Sequence, residues 1–537
     1  MKMKNILLIM ADQQRYDTIA AAGFPHMKTP NLDRLAAMGT IFTQACSTNP
    51  VCMPARHDLL TGLPGCAHGY YSNTGRPLQD YSLPTIPRLL QNAGYRTAAI
   101  GKCHHYPARE HHGFGELHLM EELPKRRNDD EYACALAEAG LPEVQNLHGI
   151  RPLSYHTPQL SQMPLALHGS NWVADRTVNW LQRNGDSPFF LFCGFIHPHP
   201  PWDLPPEYQS WYDDVALPEP VPQSRRGQQQ EEEKWFGDSD SPEVKRQIRA
   251  AYFASISLVD QAVGRILDEL EASGKLDDTL IIYTADHGEM LQDKGYYSKE
   301  LPYESSVRIP MLVKFPKDDT ATAEFQPGGC CSASVDLFDL MPTCLETAGI
   351  TYPAGKYQLP GSSFRHSAKR SRAIQISAWN DDKSLRWVMA RSRNHKYIYH
   401  YNGGIEELYN LEADPGETRN LWTEDAADAA RIASPLRQAV LEWEKKWGPE
   451  WCVKDGGLTS VPASPPGISY CSKFPVWSSR QFQFFDNRSP EVRGKRFIEE
   501  LKHALPDYDF SQLPPDYIHE FEQQWQQFGS GTFKFKD

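Results

Sequence analysis

Short apolar runs alternate along this chain with longer stretches whose apolar residues recur at helical spacing. Asn5-Ile6-Leu7-Leu8-Ile9-Met10 is an unbroken run that ends just before Asp12, and Phe189–Ile196 is another. Thr97–Ile100 and Thr279–Thr284 are shorter versions of the same pattern. Runs of this length without polar alternation predict strands buried on both faces. Thr85–Ala93 reads as a helix. Gln247–Ser273 carries Ile248, Tyr252, Ile256, Val259, Val263, Ile266, Leu267 and Leu270, a helical stripe that stops at Gly274. Strand and helix alternating in this way predict an α/β fold, a mostly parallel sheet flanked by helices.

The periodicity changes further along. Arg372–Trp447 alternates strand-like runs with turns and closes on a helical Leu436–Trp447, which predicts a smaller α+β subdomain. Pro218–Glu243 is polar and without period, and reads as a surface loop. Trp451–Asp537 holds Pro-rich turns, a predicted helix over Pro490–Ala504 and an aromatic tail. The expected division is 1–371, 372–450 and a C-terminal extension 451–537, the last a candidate arm for a homo-oligomer. Internal repeats are absent from the sequence.

Composition narrows the function. The chain has 537 residues, enough for a deep core, and a formal net charge of -13, which argues against nucleic acid and anionic membranes as partners. No stretch approaches ~20 consecutive apolar residues. Eleven cysteines follow no framework spacing, and Cys330-Cys331 are adjacent, which suits free thiols in a reducing compartment. The opening residues form too short an apolar run for an export signal, so the expected location is the cytoplasm. A chain cut behind such a signal would read the same and be periplasmic or secreted.

Chemistry-bearing residues cluster behind the predicted strands. Asp12 and Gln13 follow the first, Lys102 and His104 follow Thr97–Ile100, His199 follows Phe189–Ile196, and Asp286-His287 follow Thr279–Thr284. In open α/β sheets ligands bind beyond the carboxyl ends of the strands, so these residues are expected to meet at one rim. Two carboxylates, an amide oxygen and an imidazole suit a divalent cation held mainly by oxygen.

Cys52-Met53-Pro54-Ala55-Arg56 spells C-x-P-x-R inside a run that closes Leu59-Leu60-Thr61-Gly62. Gly101-Lys102-Cys103-His104, Pro198-His199-Pro200-Pro201, Asp286-His287-Gly288-Glu289 and Lys299, which precedes Tyr303-Glu304 and Arg308-Ile309-Pro310, follow in order. Lys396-Tyr397-Ile398, Glu407-Leu408-Tyr409 and Asp414-Pro415-Gly416-Glu417 come later. In these segments, which run from Asn5 to about Trp422, the chain resembles the formylglycine-dependent sulfatases, a branch of the alkaline-phosphatase-like hydrolases.

The resemblance implies an alkaline-phosphatase-like fold and hydrolysis of sulfate esters. It implies that a maturation enzyme oxidises Cys52 to formylglycine (3-oxoalanine), whose hydrate supplies the attacking oxygen. Asp12, Gln13, Asp286, His287 and position 52 would hold one divalent cation, by family habit Ca2+. Gln13 and His287 depart from the commoner acid-acid and Asp-Asn pattern, which lowers the ligand charge, adds a nitrogen and admits Mn2+ or Mg2+. Arg56 would hold the modified residue and Lys102 a sulfate oxygen. His104 would take a proton to release sulfate, and His199 and Lys299 would assist the leaving group. The implied substrate is a sulfated carbohydrate, by family habit a glycosaminoglycan fragment. The Gln13 and His287 pairing also resembles choline sulfatases and phosphonate monoester hydrolases, so phosphonate or phosphodiester hydrolysis is the alternative. A sulfated-glycan binding protein without catalysis is a third.

Several rivals are visible in the sequence. His197 competes with His199 for the leaving-group role, and Lys294 with Lys299. His105, His111 and His112 beside Cys103 suggest zinc, but the four-ligand, finger-like spacing is missing. Trp202, Trp379, Trp387 and Tyr303 could line a sugar cleft, and core burial is the commoner fate of such rings.

Overall fold

The structure is a computed structural model. It describes residues 3–463 apart from 125, 142–146, 150–155, 157, 223–241, 320–324, 354 and 370–372, together with 485–486. Most of the expected loop Pro218–Glu243, the helix expected over Pro490–Ala504 and most of the C-terminal extension therefore lie outside the described residues.

The main sheet has eight strands: β1 (Asn5–Ala11), β2 (Thr40–Cys46), β3 (Arg96–Gly101), β4 (Glu116–Leu119), β5 (Phe189–Phe195), β6 (Thr279–Thr284), β7 (Met311–Lys314) and β8 (Gly329–Asp336). Their spatial order is β8-β2-β7-β6-β1-β5-β3-β4. Every neighbouring pair is parallel except those of β7, which runs antiparallel to β2 and to β6. The mostly parallel sheet expected from the apolar runs is present.

Alternation along β1 explains its uninterrupted hydrophobicity. Leu7, Ile9 and Ala11 join the core on one face, beneath helices α1 (Pro30–Met38), α4 (Gly169–Asn184) and α5 (Pro242–Ala272). Ile6, Leu8 and Met10 join the core on the other, against α2 (Cys52–Thr61), α3 (Ile86–Asn92) and α6 (Leu340–Ala348). Both faces are covered, so neither set can be polar. Each fully buried aliphatic side chain contributes roughly 1.5–3 kcal/mol. The helix α3 starts where its sequence dictates: Thr85 caps it by accepting from Arg88 N, and Pro87 occupies its first turn.

A second sheet, an antiparallel meander of β9 (Gln375–Trp379), β10 (Trp387–Arg391), β11 (His395–His400) and β12 (Ile405–Asn410), follows. The helix α7 (Ala426–Trp447) covers it. That helix begins ten residues before the expected Leu436. Asp425 caps it by accepting from Ala427 N and Asp428 N, and it runs through Pro435 with burial of Ala429, Ala433, Leu436 and Val440. Burial of that stripe outweighs the break a proline favours. The packing of this sheet includes residues just past 450. Cys452 is buried in the same core, and the rings of Trp451 and Tyr401 meet edge-on at 5.1 Å.

The other face of the meander packs onto the first unit. Trp379, Trp387, Met389, Ile398 and Tyr409 bury Val51, Met290, Tyr303 and Val307. Beside this apolar seam lies a buried ionic one. Glu304 takes both Arg391 Nε and Nη2 at 2.9 Å and Lys396 Nζ at 2.8 Å, and Lys396 Nζ also meets Glu417 at 2.6 Å. Trp387 Nε1 donates to Glu300 O at 2.8 Å. Trp202, Trp379, Trp387 and Tyr303 are all core residues. Among the described residues no helix is long and apolar enough to cross a membrane.

Candidate active site at the strand ends

Asp12 follows β1 directly, its backbone N–H bonded to Phe195 O across the sheet. Gln13 then turns with φ 66°, and its N–H donates to Asp286 Oδ1 at 3.0 Å. His287 N–H donates to the same oxygen at 3.0 Å, and Ser47 Oγ donates to the Asp286 carbonyl. His287 Nδ1 lies 3.0 Å from Gly288 O. That contact makes Nδ1 the protonated nitrogen and turns Nε2 toward Cys52, the arrangement of a ligating imidazole fixed from behind. Gly101, with φ 94°, lets β3 turn out toward Lys102, and a Cβ there would run into the carbonyl oxygen of Gly194.

Cys52 is the first residue of α2, behind the extended Val51. Its Sγ lies 3.3 Å from His287 Nε2, 3.2 Å from Lys299 Nζ, 3.7 Å from Asp12 Oδ1 and 3.9 Å from Lys102 Nζ. Four residues on, one helical turn later, Arg56 reaches the same point. Its Nε donates to Asp286 Oδ2 and its Nη2 to Asp12 Oδ2, both at 3.0 Å, and its Nη1 to Lys102 O at 2.8 Å. Asp12, Cys52, Asp286 and His287 bring ligand atoms within 4.8 Å of one another, all buried.

Gln13 is clamped at the edge of this group. Its Oε1 accepts from Lys299 Nζ at 2.6 Å and its Nε2 donates to Glu289 Oε2. Glu289 Oε1 in turn accepts the N–H groups of Leu291 and Ser298. The rival Lys294 is elsewhere, bonded to Glu417 O and lying over the Tyr303 ring at 4.6 Å.

Lys102 and His104 both reach Cys52, but not along an extended strand. His104 has φ 56°, and the Cys103 and His104 N–H groups both bond Glu121 Oε1 at 2.9 Å. His104, Cys52 and Glu122 form a second group with ligand atoms within 4.8 Å. His199 faces Glu122 Oε1 at 3.6 Å through Nε2, while its Nδ1 lies 2.7 Å from Pro200 O. His197 belongs to a separate buried network with His168, Ser170 and Asp203, its Nε2 3.2 Å from Asp203 Oδ1. The suspected zinc residues form no group of three ligating atoms among the described residues: the His105 and His112 rings meet edge-on, but His105 and His111 turn Nδ1 to Glu110 O and Phe114 O.

Electrostatics follow from this packing. Burial alone would raise the Asp12 carboxyl, but Lys102, His199, Arg56 and Lys299 outweigh it and hold Asp12 well below the usual carboxylate range. Burial and Asp12 push the Cys52 thiol up, yet Lys102, Lys299 and His287 bring it below its ordinary value. Burial works against charge on His287, and Asp286 and Cys52 overcome it and raise its pKa. Burial and then Lys102 lower His104 to about 3, so it is a neutral base near pH 7. Two carboxylates and an imidazole that draw positive charge from every side fit a divalent cation. Position 52 at a helix N-terminus, between two lysines, fits a site for an anion.

Asp12, Gln13, Cys52, Arg56, Lys102, His104, His199, Asp286, His287 and Lys299 thus gather at one rim. Two more came to light only in three dimensions. Glu289 lies inside a quoted motif and orients Gln13. Glu122 follows β4, where the strand-end rule would have found it had that short strand been recognised.

The sulfatase family model matches residues 4–350, and that of the N-sulphoglucosamine sulphohydrolase C-terminal region matches 292–446. An arylsulfatase of Clostridium perfringens is 31% identical over 78% of this chain and 90% of its own length. The phosphonate monoester hydrolase of Agrobacterium radiobacter has the same fold, with a TM-score of 0.68, 23% identity and coverage of 85% of this chain and 99% of that one. So does a structure described as a complex with its substrate D-glucosamine-2-N,6-O-disulfate, with a TM-score of 0.66, 22% identity and coverage of 83% and 98%. With the family model spanning most of the chain and the arylsulfatase match, this chain belongs to the sulfatase family, enzymes of the alkaline-phosphatase-like superfamily that hydrolyse sulfate esters.

Proposed function

We propose that this sulfatase removes sulfate from a sulfated carbohydrate, using formylglycine at position 52 and one divalent cation. The observation that carries the proposal is the setting of Cys52, with Asp12, His287, Lys102 and Lys299 all within 3.9 Å of its sulfur. The match of residues 292–446 to a sulphoglucosamine hydrolase region supports a sugar substrate. So does the structural neighbour bound to a glucosamine disulfate.

Asp12, Asp286, His287 and position 52, with Gln13 at their edge, would hold the cation, Ca2+ by family habit. With the cation held there and position 52 modified, the chemistry supplied would be an oxygen nucleophile available near neutral pH. The chain's own side chains do the rest. Lys102 and Lys299 bind the sulfate oxygens and keep water from competing for them. Arg56 fixes Asp12 and Asp286, so the ligands stay in place as charge changes. His104, neutral near pH 7 and beside position 52, would take the proton from the second hydroxyl of the hydrated residue as its C–O bond to the transferred sulfate breaks and the aldehyde re-forms. His199, with Nδ1–H engaged by Pro200 O, serves the leaving oxygen as a general acid through Nε2 in its doubly protonated form, with the Glu122 carboxylate 3.6 Å away to face that charge. Free thiols at the ten described cysteines support a reducing compartment.

The test joins mass spectrometry of the peptide holding residue 52 to sulfate release from a panel of sulfated saccharides. Turnover should scale with the fraction of position 52 converted to the aldehyde, and Cys52→Ala should abolish it while leaving the fold intact. Vigorous hydrolysis by wholly unconverted protein would end the proposal. Gln13 and His287, together with the phosphonate monoester hydrolase neighbour, support a second reading. High conversion with hydrolysis of aryl phosphonates and not of sulfate esters would establish it.

A further inference from the structure

Glu122 stands on the outer side of the site. Asp12 and Asp286 are wholly buried, whereas the Glu122 side chain retains 11% exposure. Lys102 Nζ pairs with Asp12 Oδ2 and with Glu122 Oε1, so one ammonium joins the buried carboxylates to the outer one. His199 Nε2 lies 3.6 Å from the same Glu122 oxygen. A Glu122 oxygen, a His104 nitrogen and Cys52 Sγ lie within 4.8 Å of one another. The preceding residue keeps it there. Glu121 binds the N–H groups of Cys103 and His104 through its carboxylate, and its own N–H donates to Asp130 Oδ2 at 2.7 Å.

A carboxylate in this position weakens the hold on a sulfate anion, because like charges a few ångströms apart repel. A sulfate ester with its charged oxygens on Lys102 and Lys299 would leave its carbon side facing outward, and the first atoms beyond the ester oxygen would then lie toward His199 and Glu122.

We propose that Glu122 determines specificity by reading the group that carries the sulfate. It accepts a hydrogen-bond donor or a cation next to the ester, such as a hydroxyl or amine of a sugar, and rejects a second anion there. The proposal rests on the sulfate seat described above and refines the sulfated-carbohydrate reading toward singly sulfated, hydroxyl- or amine-bearing positions.

The test uses the full chain, matured and loaded with cation. Aminoethyl, hydroxyethyl and carboxyethyl sulfate are compared as substrates and as inhibitors of nitrophenyl sulfate turnover, so that a slowly cleaved ester still reports its binding. The wild type should favour the ammonium ester over the carboxylate ester by on the order of tenfold or more, the scale of a charge-assisted hydrogen bond. Glu122→Gln should bring that ratio close to one. Glu122→Asp keeps the charge with a shorter reach; it should preserve the order with a smaller ratio, and serves if the glutamine variant fails to fold. An unchanged ratio in Glu122→Gln would overturn the proposal. So would an equal loss for all three esters, which would reduce Glu122 to a support for Lys102 and His199. None of the probes is a sugar, so a failed saccharide panel and a failed Glu122 proposal are separate results.

Discussion

Replacing Arg56 by methionine should unbalance the floor of the site in a measurable way. The guanidinium donates to Asp286 and Asp12 at 3.0 Å and to the Lys102 carbonyl at 2.8 Å, all buried. Breaking a buried ion pair by removing one partner costs about 3–5 kcal/mol, because a charge stays buried without compensation. Lys102 still pairs with Asp12, so the lower end, about 3 kcal/mol, is expected. Urea unfolding of unmatured protein with a chelator reads this loss directly. Calcium should restore more stability to the variant than to the wild type, since the cation supplies the charge Arg56 provided; binding at a hundredfold excess over Kd is worth about 2.7 kcal/mol. Acid should also act differently. Asp12 has a depressed folded pKa, so its contribution is present above the ordinary carboxylate pKa and is lost as pH falls through the folded one. Arg56→Met raises that folded pKa and moves the loss to higher pH. A chelated variant within about 1 kcal/mol of wild type would show that Asp12 and Asp286 do not depend on Arg56, and would refute this account of the site.

Further outcomes follow from other parts of the structure. Asp286→Ala should abolish turnover and lower the cation content measured by elemental analysis, and full activity in a chelated sample would remove the metal from the mechanism. His199→Ala should harm esters with basic, alkoxide-like leaving groups roughly 10²–10⁴-fold and activated aryl esters far less. A selective loss on His197→Ala instead would transfer the role to the His168–Asp203 network. The histidines packed behind α2 make stability sensitive to mild acid. Burial first, and neighbouring histidines next, hold His57 and His105 well below their ordinary value, and burial lowers His112 to about 4. Folded pKa values below the unfolded ones mean stability is full above about pH 6.5 and falls as pH drops toward 4. Urea midpoints that stay flat between pH 7.5 and pH 5 would contradict this.

What the sequence revealed depended on how local the signal was. Asp12, Lys102, His199 and Asp286 were legible because each sits directly behind a strand that announces itself as an apolar run. Lys299 has no such marker. It lies in a segment with φ 68° at Ser298 and φ 76° at Glu300; its ammonium meets Gln13 and Cys52, far earlier in the chain, and the next residue, Glu300, is held by Trp387 from far later. Glu122 was hidden because β4 is four residues long and only half apolar, too short for periodicity to register. The start of α7 was misplaced because Pro435 is a strong local break, while the burial that overrides it is tertiary. His57, His105 and His112 are spread over more than fifty residues, and their edge-on packing, with His105 and His112 centroids 4.5 Å apart, exists only once the chain has folded.

The seam between the two sheets bears on the order in which the molecule is completed. Glu304 and Glu300, on either side of Tyr303, are held by Arg391, Lys396 and Trp387, and the same sheet covers Val51. During synthesis the ribosome delivers Cys52 early and these anchors hundreds of residues later. Until they arrive, the arm that bears Lys299 lacks its backing, and one wall around position 52 remains unbuilt. In the finished protein Cys52 is 0% exposed. An enzyme that converts this thiol, as proposed above, would therefore have to act on the growing chain before the second sheet docks, or wait for that seam to open.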